Sequence, residues 1–252
     1  MTTAHNHWLP RPYLFRVGGW AVPSYTVMLY VGCLVGVEAG SLLADASGLD
    51  PTKVAVATII LLVPALVGSR LLYVAQHASV YRADPSRIWR RTEGGAALFG
   101  GLALALLVSV LVLPVMDLPF LGFWDCGAVT MAVGNVFTRV GCHLTGCCAG
   151  RATGGRIGID LPNRAGVWAR RVPAQLLESG WAALAVVAAL MLRRRFEFDG
   201  AVFAVVVSLY GAGRAVLEHE RERDGARAAP CINVAVAVAL VATGAVVLII
   251  AR

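Results

Sequence analysis

Long apolar runs alternate with short polar connections along this chain. A helix that crosses a membrane needs about 20 consecutive apolar residues, and seven runs approach that length. Asp125 and Asn135 interrupt the fourth run, which is the weakest. The pattern predicts an all-α integral membrane protein with about seven transmembrane helices, forming a single polytopic membrane domain over residues 1–252. The runs are Tyr25–Leu43, Val54–Val74, Ala96–Val115, Gly122–Val140, Ala174–Leu192, Gly200–Leu217 and Ile232–Ala251.

Two polar connections stand out. Gly146–Val172 is the longest, at about 27 residues, and a loop of that length is usually functional or a small subdomain. We expect a small extramembrane region there, between helices 4 and 5, with a short hairpin over Gly154–Pro162. Tyr81–Glu93 contains four arginines and is typical of an amphipathic surface segment.

Composition supports a membrane protein. Of the 252 residues, 58% are hydrophobic and only 15% are charged. The net charge is +7, and Lys53 is the single lysine among 22 basic residues. Because the arginines gather beside apolar runs, we expect them to contact phospholipid headgroups and not nucleic acid. The polar N-terminus lacks the apolar core of a cleavable signal peptide.

Charged and amide side chains recur near the ends of the predicted helices. Arg214, Glu218 and Arg221 are spaced i, i+4, i+7 and share one helix face, while Gln175 and Glu178 are spaced i, i+3. Arginines hold phosphate through charge-assisted hydrogen bonds, and carboxylates orient the arginines or accept a proton. The pattern predicts a site for a phosphate-bearing headgroup. A structural ion pair is the alternative for Arg214 and Glu218.

The stretch Arg139–Arg151, RVGCHLTGCCAGR, places two arginines, a histidine and three cysteines at the end of an apolar run. An arginine near the bilayer centre costs roughly 2.5–3.5 kcal/mol, so something must compensate for it. An anionic ligand is a good candidate. Arg139 and His143 share one helix face if the fourth helix continues through this stretch.

The three cysteines Cys142, Cys147 and Cys148, beside His143, allow four interpretations. They are a metal site, a nucleophilic thiolate activated by arginine, a disulfide, or small packing residues. The spacing C-H-x3-C-C is not a standard zinc spacing, so we expect neither a bound metal nor a cofactor. The sequence does not decide among the other three.

The chain resembles the prolipoprotein diacylglyceryl transferase family over nearly its whole length. In the first half, FRVGGWAVPSYTVMLY is similar to the family's entry to its first span and places Tyr25 on a functional tyrosine. GSRLLY places Arg70 and Tyr73 on second-span positions. ADPSRIWRRTEGGAALFGGL is similar to the stretch that ends in a glycine-rich third span.

The second half carries the signature. Arg139 falls on the family's essential arginine, Gly150 on its key glycine and Arg151 on its closing arginine. VPAQLLESG places Gln175 and Glu178 on Pro-x-Gln-x-x-Glu. LYGAGRAVLEHER places Arg214 on a second essential arginine and Glu218 on its carboxylate partner.

Three positions depart from the family. Phe99 stands where the family has a functional histidine, Cys142 replaces the signature asparagine, and Cys147 replaces the signature glutamate. The phosphate-binding arginines are kept while three polar partners are lost. The chain therefore resembles a divergent branch, with the acceptor and the proton-transfer step most affected.

The resemblance implies transfer of a diacylglyceryl group from phosphatidylglycerol to the cysteine thiol of a prolipoprotein, with release of glycerol phosphate. Arg139 and Arg214 would stabilise the departing phosphate, and Glu218 would orient Arg214. Because the family's histidine is replaced by Phe99, we hypothesise that His143 takes the thiol proton in its place. The predicted catalytic residues are Arg139, Arg214, Glu218, His143 and Cys147. The predicted substrate-binding residues are Tyr25, Arg70, Cys142, Cys148, Gly150, Arg151, Gln175, Glu178, Tyr210 and Arg221.

Three alternatives remain. One is a related membrane transferase with another acceptor, working through Cys147 or Cys148. The second is a non-catalytic lipid-binding, transport or thiol-redox membrane protein. The third is a metal carrier that uses the cysteine and histidine cluster. We expect a multi-pass protein of the bacterial inner membrane, with the site near the outer leaflet as the resemblance implies. A simple count of arginines by loop gives the opposite orientation.

Overall fold

A computed structural model describes residues 10–89, 97–163, 166–195 and 198–221, together with residues 238, 241, 242, 244 and 245. Within this part of the chain, six helices are long and apolar enough to cross a membrane. They confirm the predicted all-α membrane class. The seventh predicted run, Ile232–Ala251, lies almost entirely outside the described residues. The six are Ser24–Asp45, Pro51–Gln76, Leu98–Val115, Phe120–Thr145, Ala174–Arg195 and Ala201–Glu220.

The regular elements follow one another with short connections. The strands are β1 (Tyr13–Val17), β2 (Trp20–Pro23), β3 (Ile159–Pro162) and β4 (Trp168–Arg171). The α-helices are α1 (Ser24–Asp45), α2 (Pro51–Gln76), α3 (Ala78–Ala83), α4 (Leu98–Val115), α5 (Phe120–Thr145), α6 (Ala174–Leu192) and α7 (Ala201–Leu217). Short 3-10 turns cover Pro85–Trp89, Arg193–Arg195 and Glu218–Glu220.

The chain divides into two compact units, which are described separately. Unit 1 comprises Met1–Gly40 and Trp124–Arg252, and unit 2 comprises Ser41–Phe123. A single polytopic membrane domain stays a prediction.

Glycines allow α1 and α5 to approach closely in unit 1. A Cβ atom on Gly36 would lie 2.6 Å from the carbonyl oxygen of Thr130, and one on Gly141 would lie 2.9 Å from Met28 Cβ. Both distances are shorter than real side chains tolerate. Close backbone approach of this kind is typical of helix pairs in membranes, where dispersion contacts drive association.

Trp181 joins α6 to α7. Its indole Nε1–H donates a hydrogen bond of 2.7 Å to the carbonyl oxygen of Leu209. The ring lies against Gly213, where any side chain would collide with it. The indole therefore satisfies its one donor while its apolar body fills the space between the helices.

Asp125 explains the polar interruption of the fourth apolar run. Its carboxylate accepts hydrogen bonds from the backbone N–H groups of Gly200 (2.8 Å) and Phe203 (2.7 Å). These are free donors at the N-terminus of α7, which no intrahelical carbonyl satisfies. The carboxylate therefore caps one helix from within another.

The loop between α5 and α6 contains a hairpin, but not the predicted one. β3 pairs antiparallel with β4, with Ile159 opposite Arg171 and Pro162 opposite Trp168. The predicted hairpin over Gly154–Pro162 is therefore wrong, because that run supplies only one strand. Its glycines made the run look like a turn with both of its strands, while the partner strand lies further along the chain.

Unit 2 contains a close pair of helices, α2 and α4. Gly68 and Gly100 face each other, and a Cβ on either would collide with the other's carbonyl oxygen. The carboxylate of Asp50 caps the start of α2 by accepting from the N–H of Thr52 at 2.8 Å. In the Tyr81–Glu93 connection Tyr81 is buried and Arg82 is exposed, while residues 90–93 lie outside the described part of the chain, so the amphipathic segment stays a prediction.

The hairpin β1–β2 before the first long helix was not predicted from the sequence. Val17 pairs with Trp20 across a two-glycine turn in which both glycines have positive φ. Trp20 is 82% exposed and Phe15 is 53% exposed. Exposed aromatic residues next to a membrane helix are typical of the lipid–water interface.

Candidate functional site: an arginine cluster around Glu178

One carboxylate in unit 1 binds three arginines. Glu178 Oε2 lies 2.7 Å from Arg139 Nε. Its Oε1 atom lies 3.1 Å from Arg221 Nη1 and 3.4 Å from Arg214 Nη1. The Glu178 side chain is only 10% exposed. Three guanidinium groups therefore share one nearly buried carboxylate.

A second carboxylate completes the cluster. Arg214 Nη2 lies 2.9 Å from Glu218 Oε2, as expected for residues spaced i, i+4. Three separate helix ends supply the group: α5 carries Arg139, α6 carries Glu178, and α7 carries Arg214 with Glu218 just beyond its last residue.

The cluster has an excess of positive charge. Three arginines and two glutamates leave one uncompensated positive charge in a region where the side chains are 10–25% exposed. A buried excess charge is unfavourable unless a counter-ion approaches it. The site is therefore suited to an anion that presents several oxygen atoms, as a phosphate does.

Gly150 lies where three backbone segments meet. Its N–H donates to the carbonyl oxygen of Val172 at 2.9 Å, and its backbone bridges that of Arg221. A Cβ at this position would lie 2.5 Å from the carbonyl oxygen of Glu220 and 2.7 Å from that of Val172. Only glycine lets the loop lie against the chain beyond α7, which holds Arg221 in the cluster.

Arg151 has a partner of its own. Its Nε and Nη2 atoms donate to Glu220 Oε2 and Oε1 at 3.1 and 3.2 Å. The pair is a forked contact, but the Arg151 side chain is 55% exposed. Arg151 thus pairs with Glu220 near the surface, while the less exposed Arg139 and Arg214 pair with Glu178 and Glu218.

The three cysteines lie together beside this cluster. The Sγ atoms of Cys142, Cys147 and Cys148 all lie within 4.8 Å of one another, and all three are free thiols. Gln175 Nε2 donates to the carbonyl oxygen of Cys147 at 2.7 Å. Gln175 is 1% exposed, and its Oε1 atom has no hydrogen-bond partner within the described part of the chain.

The thiol of Cys148 is strongly perturbed by its neighbours. Hydrogen bonds from the thiols of Cys142 and Cys147 lower its pKa far below the usual range, and the nearby guanidinium groups of Arg221 and Arg139 lower it further. Burial opposes these effects without cancelling them. The surroundings of Cys148 therefore favour its thiolate form.

A family model described as prolipoprotein diacylglyceryl transferase matches residues 12–251. The chain belongs to the prolipoprotein diacylglyceryl transferase family. It is 30% identical over 217 residues to the phosphatidylglycerol–prolipoprotein diacylglyceryl transferase of Geobacter sulfurreducens, covering 84% of this chain and 83% of that one. It is 25% identical over 216 residues to the enzyme of that name from Clostridium kluyveri, with 82% and 83% covered.

The two tyrosines of the predicted site lie in unit 1 with the cluster. The Tyr25 backbone packs against Gly141, and its side chain interacts electrostatically with Cys142 and Arg139. Tyr210, on α7, interacts electrostatically with Arg214, Arg139 and Glu178.

Two other predicted residues have different surroundings. His143 is 5% exposed, one residue from Cys142 on α5. Arg70 belongs to unit 2, where its Nε donates to the carbonyl oxygen of Ile88 at 2.7 Å. The Arg70 guanidinium also lies over the rings of Tyr73 and Tyr81, at 5.7 and 5.4 Å from their centroids.

Two features of the site were not predicted. Glu178, and not Glu218, is the carboxylate shared by all three arginines. The sequence did not predict this, because spacing reveals only partners on the same helix. Arg171 is 5% exposed on β4, and its Nη1 atom donates to the carbonyl oxygen of Gly150 at 3.5 Å. Its position in an arginine-rich polar loop gave no sign of burial.

Proposed function

We propose that this protein transfers the diacylglyceryl group of phosphatidylglycerol to the cysteine thiol of a prolipoprotein. The convergence of Arg139, Arg214 and Arg221 on Glu178 carries the proposal. We interpret this convergence as a preformed site for an anion at the ends of membrane helices, in a family whose relatives are named for phosphatidylglycerol and prolipoprotein.

In the proposed reaction, the acceptor sulfur attacks the glycerol carbon that bears the phosphoester. A sulfur–carbon bond forms, the carbon–oxygen bond to phosphate breaks, and glycerol phosphate leaves with the bonding electron pair. The thiol proton passes to a base. The largest electrostatic demand is on the leaving phosphate, because negative charge grows there as the bond breaks.

Arg139 and Arg214 are the groups proposed to meet that demand. In the resting cluster Glu178 holds both guanidinium groups in place, and Glu218 fixes Arg214 from the other side. An arriving phosphate oxygen competes with Glu178 for N–H donors that are already oriented. The arginines then need little reorganisation when charge develops on the leaving group.

Tyr25, Tyr210 and Gln175 are proposed to contact the headgroup. The phosphatidylglycerol headgroup has two free hydroxyl groups that need acceptors when they leave water. The buried Oε1 atom of Gln175, which accepts no hydrogen bond within the described residues, is suited to one of them.

His143 is proposed to take the proton of the acceptor thiol, because Phe99 replaces the family's usual histidine. The proposal requires that His143→Ala alter both the rate and its pH profile. If neither changes, the proton has another destination and this role is lost. We further propose that the protein lies in a bacterial inner membrane with the cluster near the outer leaflet.

The test is transfer in a reconstituted system. Purified protein is mixed with phosphatidylglycerol labelled in its headgroup glycerol and with a peptide that carries the cysteine motif of a prolipoprotein. We expect labelled glycerol phosphate and lipid-modified peptide in equal amounts. A peptide with serine in place of the cysteine is the control and should yield neither product. Absence of both products with the cysteine peptide would refute the proposal.

The three free thiols, which lie within 4.8 Å of one another beside the arginines, support a second candidate, in which the lipid passes through an enzyme cysteine to a different acceptor. This route predicts a covalent diacylglyceryl adduct on Cys148 or Cys147 when the acceptor is omitted. Mass spectrometry of the quenched protein detects such an adduct. Transfer to the peptide that persists in a Cys147→Ser/Cys148→Ser variant would exclude this route.

A further inference from the structure

The cysteine cluster has the dimensions of a metal site. The three Sγ atoms lie within 4.8 Å of one another. Three sulfurs placed about 2.3 Å from a common metal ion are separated from each other by about 4 Å. Thiols separated by so short a distance need only small side-chain rotations to bind the same ion. His143 is not part of this group within the described residues.

The backbone holds these ligands from two sides. Cys142 lies in the last turn of α5, and the N–H of Cys147 donates to its carbonyl oxygen at 3.0 Å. Gln175 holds the other side of the Cys147 peptide through its 2.7 Å hydrogen bond. The loop geometry is therefore fixed before any ligand arrives.

Cys148 adopts an unusual backbone conformation. Its φ of 61° lies in the left-handed region, which residues with a side chain seldom adopt, and Gly146 has a φ of 76° two residues earlier. A non-glycine residue keeps such a conformation only when its surroundings impose it. The effect of the turn is to bring the third thiol to the other two.

The charge of the surroundings suits a metal bound by thiolates. Three thiolates and one divalent cation carry a net charge of −1. The neighbouring arginines and glutamates carry an excess of one positive charge, and Arg221 and Arg139 interact with Cys148. The positive charge of these arginines lowers the cost of burying a metal–thiolate group beside them.

We propose that Cys142, Cys147 and Cys148 form a three-thiolate site for one soft divalent metal ion of the Zn²⁺ type. The spacing of the cysteines predicted no metal, because it matches no standard motif, but the fold brings the sulfurs together regardless of spacing. Binding displaces the thiol protons to solvent. Three protein ligands leave one coordination position for water or another small ligand. The inference does not depend on the transferase activity.

The test uses Cd²⁺ as a spectroscopic probe of the full-length, detergent-solubilised and reduced protein. The background is Cys33→Ser, Cys126→Ala and Cys231→Ser, which keeps only the three cluster cysteines. We expect one Cd²⁺ per chain with a sulfur-to-cadmium charge-transfer absorption, and displacement of Cd²⁺ by Zn²⁺. In the same background, Cys148→Ser and Cys147→Ser should each weaken binding by about 100-fold.

Either of two results overturns the proposal. The first is the absence of the charge-transfer band in the reduced background protein, with thermal unfolding showing that the protein is folded. The second is a band of equal intensity and affinity in the Cys147→Ser and Cys148→Ser variants. Because the measurement is spectroscopic, it gives an answer whether or not the protein transfers lipid.

Discussion

Arg139 Nε lies 2.7 Å from Glu178 Oε2, and the two residues come from different helices. The signature arginine on α5 is therefore oriented by a carboxylate from α6 and not by a neighbour on its own helix. Arg214 and Arg221 use the other oxygen of the same carboxylate. The arginine cluster is organised around Glu178.

Replacing Glu178 with glutamine should disrupt the cluster without changing its size. An amide cannot neutralise three guanidinium groups, so they would repel one another and lose their orientation. We expect Glu178→Gln to reduce transfer activity on the order of 10²- to 10³-fold. Initial rates in the reconstituted assay measure the effect.

Glu220→Gln is the matched control. Glu220 pairs with Arg151, whose side chain is 55% exposed, and exposed pairs contribute little. We expect its activity to stay within about threefold of wild type. Equal losses of activity in Glu178→Gln and Glu220→Gln would show that Glu178 does not organise the catalytic arginines.

Gly150→Ala should weaken the junction between the signature loop and the end of α7. The new methyl group would lie 2.5 Å from the carbonyl oxygen of Glu220, so one backbone segment must move. Overpacking of this kind costs about 1–3 kcal/mol. We expect a lower midpoint of thermal unfolding and, because Arg221 shifts with the backbone, lower activity.

Gly154→Ala provides the comparison for Gly150→Ala. A Cβ on Gly154 meets nothing within 4 Å. We expect its unfolding midpoint and activity to match the wild type. An unchanged Gly150→Ala protein would mean that the chain segments at Gly150 are not packed as described.

Asp125→Asn should affect stability more than catalysis. The carboxylate accepts hydrogen bonds from Gly200 and Phe203 at the start of α7, and an amide has only one acceptor oxygen. We expect a loss of about 1 kcal/mol in the free energy of unfolding, with activity at permissive temperature nearly unchanged. Denaturant titration measures this loss of stability. Asp117→Asn is the control, since Asp117 makes an exposed contact with Lys53. Equal stability of the two variants would contradict the capping role.

The lowered pKa of Cys148 predicts that the rate of its alkylation depends little on pH. An ordinary thiol titrates near pH 8.5, so its alkylation rate rises about tenfold per pH unit below that value. Hydrogen bonds from Cys142 and Cys147 lower the pKa of Cys148, so we expect its rate with iodoacetamide to be nearly constant from about pH 6 to pH 8. Peptide mapping by mass spectrometry measures the extent of alkylation at Cys148. A tenfold rise per pH unit at Cys148 would show an ordinary thiol.

The sequence predicted those parts of the fold that depend on local pattern. Long apolar runs revealed the helices, because crossing a bilayer imposes a length and a composition. The spacing of Arg214 and Glu218 predicted their contact, since i, i+4 residues are neighbours on a helix. The exposed hairpin β1–β2 was missed because its strands are short and follow no clear alternation.

Contacts between segments that are distant in the sequence were harder to predict. Nothing near Glu178 in the sequence shows that Arg139 and Arg221 lie beside it. The pairing of β3 with β4, in place of a turn within Gly154–Pro162, also depends on the partner strand. The three cysteines were recognised as a group, but their common centre depends on the turn at Gly146 and Cys148, whose backbone conformation no spacing rule gives.

The most direct test compares Arg139→Lys with Arg151→Lys in the reconstituted transfer assay. Lysine keeps the charge but loses the forked donor geometry. Arg139 is 18% exposed and contacts Glu178, while Arg151 is 55% exposed and contacts Glu220. We predict at least a 100-fold loss of glycerol phosphate release for Arg139→Lys and a small change for Arg151→Lys. Full activity of a folded Arg139→Lys protein would contradict the claim that this arginine cluster is the catalytic site.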